Sequence, residues 1–77
     1  MTPDLLRQIG EALYGMAWVP PMAHQLDISK KSMHRMAVGY SRIPPGVQAA
    51  LLRLCEDQPE LLGELLPRLK KVVSEAR

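Results

Sequence analysis

Long apolar runs are missing from this chain, and nothing in it approaches the roughly 20 residues needed to cross a bilayer. Cysteine is nearly absent as well: Cys55 stands alone, so no disulfide can form within the chain. No secretory signal or lipidation pattern is recognisable, and the expectation is a reducing, cytoplasmic setting without membrane attachment. Strand signals, internal repeats and low-complexity tracts are also lacking, which excludes sheet folds, solenoids and disordered tails. Catalytic and metal-binding patterns are missing too. His24 and His34 are ten residues apart, and there is no CxxC, HExxH or glycine-rich phosphate loop. The chain is therefore not expected to be an enzyme, and no metal, cofactor or small-molecule effector is expected.

What is present is a 77-residue chain, 47% hydrophobic, with a net charge of only +2. A chain of this length buries only about 60–65% of its unfolded surface, enough for one modest core. The distribution of charge says more than its sum. From Ile28 to Cys55 the sequence holds Lys30, Lys31, Arg35, Arg42 and Arg53 and no acid. The flanking stretches carry Asp4, Glu11 and Asp27 against Arg7 on one side, and Glu56, Asp57, Glu60, Glu64 and Glu75 against Arg68, Lys70, Lys71 and Arg77 on the other. A basic middle between acidic ends suits a surface that faces phosphates.

Helix signals punctuate the whole length. Thr2 caps a first helix, with Pro3 at its first position, Asp4 near the positive end of the dipole, and Leu5, Ile9 and Leu13 as its apolar stripe. Gly15 is its expected stop. Trp18 reads as a core residue closing over a short helix from about Pro20 to Leu26. Ser29 caps the next, whose Met33, Met36 and Ala37 share a face while Lys30, Lys31, His34 and Arg35 lie outside it. Val38-Gly39 ends that helix. Pro44-Pro45-Gly46 starts another, with Val47, Ala50, Leu51, Leu54 and Cys55 on its buried stripe, so Cys55 reads as a core thiol. Pro59 opens a last segment to about Glu75, in which Pro67 is expected to kink or divide the helix. The prediction is an all-α fold of five helices.

Two short helices joined by a tight turn, the second exposing basic residues at its start, form the arrangement that enters a major groove. Ala23, Leu26, Ile28, Met33 and Met36 supply the apolar inner face that locks the crossing, and Ala23 keeps the two helices close. The stretch VPPMAHQLDISKKSMHRMAVG, Val19 to Gly39, resembles the helix-turn-helix of the lambda-repressor and Cro family, with the family's alanine at Ala23 and its later apolar positions at Ile28, Met33 and Met36. The IPPGV stretch, Ile43 to Val47, is similar to the next helix start in small phage- and prophage-type members. The likeness runs from about Leu5 to Cys55. It departs from the family at Asp27, where glycine is usual, and at Pro20-Pro21, where the first helix of the motif normally begins.

The resemblance implies a lambda-repressor-like helix-turn-helix fold and a sequence-specific regulator of transcription. It implies that Ser29, Lys30, Lys31, Ser32 and Arg35 reach bases or flanking phosphates, and that His34 either contacts DNA as a neutral imidazole or faces water. Tyr40 and Arg42 would anchor the DNA backbone, and the N–H groups of Gly46, Val47 and Gln48 would hold a phosphate. The expected partner is double-stranded DNA carrying an inverted-repeat operator, bound by a homodimer acting as a repressor. Residues 1–58 would form the DNA-binding domain. Residues 59–77 would dimerise or cap the core, with Leu62, Leu65, Leu66, Leu69 and Val73 against a second subunit. The rival expectation is a small helical protein-interaction module, an inhibitor or adaptor without specific DNA binding.

Overall fold

The computed structural model describes residues 1–75, and every secondary-structure element among them is helical. α1 spans Pro3–Tyr14, α2 Val19–Gln25, α3 Lys30–Ala37, α4 Pro45–Glu56, α5 Pro59–Leu62 and α6 Leu65–Glu75. Residues 76 and 77, the end of the predicted 59–77 segment, lie outside the described residues.

The ends of these helices follow from local chemistry. Thr2 Oγ1 accepts from the Leu5 N–H at 3.2 Å, satisfying one of the donors that a helix start leaves without partners. Pro20 and Pro21 fall in the first turn of α2, where a missing N–H costs no intrahelical bond. α2 and α3 close in the same way. The Ile28 N–H donates to the Ala23 carbonyl at 3.0 Å and the Asp27 N–H to His24 at 3.2 Å. Twelve residues on, Tyr40 donates to Arg35 at 2.8 Å and Gly39 to Met36 at 3.3 Å. This paired pattern needs one residue in the left-handed region. Gly39 occupies it with φ 81°, and Asp27 occupies it with φ 55° as the only non-glycine residue of positive φ among those described. Aspartate visits that region at modest cost, so it stands in for the glycine usual in such a turn.

The described residues form six helices, not five, because the last predicted segment is divided. The division falls at Gly63 and Glu64 instead of Pro67. Gly63 turns the backbone with φ 54°. Pro67 then lies in the first turn of α6, at a position whose N–H would have had no intrahelical partner, so it neither kinks nor breaks the helix.

One core joins all six elements. Leu6, Ile9, Met22, Met33, Leu51, Cys55 and Leu69 are the largest of its fully enclosed side chains. Trp18 is buried as predicted, and it lies flat against Gly10 of α1, where any Cβ would overlap its ring. Gly10 is thus a packing glycine, a role that its place inside a helical pattern did not reveal. α5 and α6 lay their apolar faces on α1 and α4, burying Leu62, Leu69 and Val73 to 5% exposure or less. These three were expected at a contact with a second subunit. They are instead inside the subunit, because α5 and α6 pack against both α1 and α4 and these side chains face that contact. Leu65 and Leu66 remain partly exposed.

Candidate nucleic-acid interface

α3 is built so that its two sides have different solvents. Ser29 has the extended backbone of a cap, and its Oγ accepts from the Ser32 N–H at 3.0 Å. From that start, Met33, Met36 and Ala37 recur at helical spacing and are buried against α1 and α2. Lys30, Lys31, Ser32, His34, Arg35 and Val38 are all exposed. Helical geometry places Lys31, Arg35 and Val38 along the line opposite the buried stripe, with His34 beside it. Lys30 flanks that line toward α2, and Ser32 flanks it toward α4.

The surface continues beyond the helix. A groove of about 280 Å³ runs between α3 and the start of α4, lined by Ser32 and Arg35 from the helix, Ser41 and Arg42 from the loop, and Val47 from α4. α4 begins without a capping side chain, so the N–H groups of Gly46 and Val47 in its first turn point outward with the positive end of the helix dipole. A second groove, on the other flank, brings His24 of α2 together with Ser29 and Lys30. The predicted residues Ser32, Arg35, Arg42 and Val47 therefore meet in one groove, while Lys31 and His34 stand on the ridge between the two.

The electrostatics follow from the missing acids. Among the described residues the one ion pair joins Arg7 to Asp4 within α1. Lys30, Lys31, Arg35 and Arg42 have no carboxylate partner among the described residues and are exposed to solvent. Cys55 is far from this chemistry. It is enclosed in the core, where burial pushes its thiol up to about 11, away from the thiolate form that reacts. Among the described residues no cluster of His, Cys, Asp or Glu is placed to hold a metal ion.

Two predicted site residues are placed differently by the structure. Gln48 was expected to offer its N–H to a phosphate, but that N–H donates to the Pro44 carbonyl at 3.0 Å. As the first residue past the unpartnered opening turn of α4, it is the first whose N–H finds an intrahelical acceptor. Its side chain is buried as well, with Nε2 donating to the Ile43 carbonyl at 2.8 Å and so tying the loop to α4. Ser29 is exposed, but its hydroxyl is committed within the chain, accepting from the Ser32 N–H and donating to Ser32 Oγ at 2.9 Å. Its part is to start the helix, and Ser32 keeps a proton to donate outward. Tyr40 and Arg42 are exposed in the loop beyond α3, Tyr40 at 82%. Val38, 62% exposed at the end of the outward line, was read only as a helix stop. Its offset of three from Arg35 and seven from Lys31 was the available signal.

No family model, curated protein or solved structure matches the chain.

Proposed function

We propose that the protein binds double-stranded DNA as a helix-turn-helix regulator of the lambda-repressor and Cro type, with α3 in the major groove and α2 braced across the backbone. The observation that carries this reading is the outward side of α3. It presents Lys30, Lys31, His34 and Arg35 with no acid among them, and one groove joins it to Arg42 and the open amides at the start of α4. Long donors on a helix held rigid from behind suit base edges, and the flanking cations and amides suit phosphates. Occupying a promoter is enough to block it, so the regulator is read as a repressor. A second subunit on an inverted-repeat operator would be held through Leu65 and Leu66, the two predicted contact residues that remain partly exposed.

The test is titration of the full chain with random-sequence duplex by fluorescence anisotropy at 50 and 200 mM salt. Binding at low salt that weakens steeply as salt rises is expected, and Arg42→Ala should lower the slope of log affinity against log salt by about 1. Absence of binding at the lower salt would overturn the proposal.

A second reading, a protein-interaction module, rests on a different surface. Leu13, Tyr14, Leu54 and Leu61 line a separate groove of about 310 Å³, and Leu61 is 51% exposed. The same titration separates the two, since that surface carries no cluster of cations to bind duplex.

A further inference from the structure

The residues exposed on α3 are as informative for what they exclude as for their charge. Its open side carries serine, lysine, histidine, arginine and, at its end, valine, with no Asn, Gln, Asp or Glu. Lysine and arginine are donors without acceptors. Guanine presents two acceptors side by side in the major groove, O6 and N7, and is the base edge that such donors satisfy. Adenine presents a donor beside an acceptor and pairs best with an amide side chain, while the cytosine amino group calls for a carboxylate. Both side-chain types are missing from this surface. Ser29, which could have supplied a short acceptor, is committed to the cap. His34 is left as the one exposed ring nitrogen, beside the central line.

That line is Lys31, Arg35 and Val38. Lys31 and Arg35 are one turn apart, and Val38 is the one bulky apolar side chain exposed on this surface, where an aliphatic group complements the methyl of thymine. From Lys31 to Val38 the helix rises about 10 Å, the length of roughly three base steps. Building on the DNA-binding reading above, we infer that this surface selects a guanine-bearing half-site with a thymine about three base steps away. Lys31 and Arg35 address the guanines, and Val38 addresses the thymine methyl.

The experiment is selection by the full chain from a randomised duplex pool, followed by titration of the enriched duplex at fixed salt. Enriched sites should hold guanine at two positions. Replacing either by 7-deazaguanine, which lacks the N7 acceptor, should weaken binding roughly 5- to 150-fold. Uracil in place of the thymine should cost about fourfold, the worth of one buried methyl group, and Val38→Ala should erase that difference. Arg35→Gln should move the preference at one position from guanine to adenine. All three side chains are exposed, so thermal melting of each variant should match the parent. Enriched sites without guanine, or binding indifferent to 7-deazaguanine, would overturn the inference and leave DNA binding itself standing. Failure to bind any duplex at low salt would overturn both.

Discussion

On one side of α3, Met33 and Met36 are almost completely withdrawn from solvent; on the other, within the same two turns, Lys31, His34 and Arg35 are exposed. Free energy of folding is concentrated on the first side, and any free energy of recognition on the second. The difference teaches that stability and binding reside on separate atoms of one short helix, so each can be altered while the other is held. An eight-residue helix is not stable alone in water. The inner methionines are what present the outer cations in a fixed row.

The separation can be broken most severely from within. Met33→Ala removes a fully enclosed side chain and should cost about 2–5 kcal/mol of stability, read by denaturant unfolding followed through Trp18 fluorescence. A loss under about 1 kcal/mol would mean that the inner face does not hold the helix.

The core also holds a titrating group, on α4. Burial raises the Cys55 thiol to about 11 from an ordinary value of 9.0, so the unfolded chain releases this proton first as pH rises. The stability it contributes is complete below pH 9.0 and is lost progressively toward pH 11. At about 1.4 kcal/mol per unit, the fall should be roughly 2–3 kcal/mol. Tyr14, raised by burial and then by the Cys55 charge, acts in the same direction at higher pH. Urea midpoints measured from pH 8 to pH 11 should decline less in Cys55→Ala than in the parent.

Gly10→Ala should cost about 1–3 kcal/mol, because the new methyl group must displace the Trp18 ring. An ordinary helix interior would instead gain about 1 kcal/mol from the same change. A gain measured by thermal melting would show that the ring yields freely.

The two turns that bracket α3 give a finer contrast. Both use the same pair of hydrogen bonds, but one left-handed position is filled by Gly39 and the other by Asp27. Gly39→Ala should lose roughly 1 kcal/mol to backbone strain, whereas Asp27→Gly should stay within about 0.5 kcal/mol of the parent. Equal effects at the two sites would mean that the turns are not equivalent.

The smallest effect on folding belongs to the outer side. Arg35→Ala should leave stability within about 0.5 kcal/mol, while lowering DNA affinity by about 1–3 kcal/mol. If both affinity and base preference were unchanged, Arg35 would have no part in recognition.

Much of this arrangement is legible in the sequence alone. The Ser29 cap, the Asp27 turn, the Gly39 stop and the helix start at Pro44-Pro45 are closed by bonds between residues three to five apart, so neighbouring side chains are enough to read them. The inner face of α3 was legible for a similar reason, since helical spacing sorts Met33, Met36 and Ala37 from the charged residues between them. Gly10 was not legible, because its partner Trp18 lies beyond a turn whose path the intervening residues do not specify. Pro67 misled because a proline breaks a helix interior and is harmless in the first turn. Where the first turn lies was decided upstream, by Gly63. Gln48 misled because its neighbours suggested an open helix start, and only the helix register shows its N–H already bonded.

The sequence by itself thus determined where α1 to α4 begin and end and which side of α3 is charged, because capping, left-handed turns and 3.6-residue periodicity act within a few residues. Only the tertiary structure decided where the leucines of α5 and α6 go. An apolar stripe is equally content against its own subunit or another, and the choice depends on whether distant helices leave a groove of matching shape. Here α6 lies against α1 and α4, Leu69 is fully enclosed, and Arg68 reaches across to donate to Gln8 Oε1 at 3.3 Å. Tertiary structure likewise joined Arg35, Arg42 and Val47 along one groove, since nothing local says that the loop after α3 returns to its outward side.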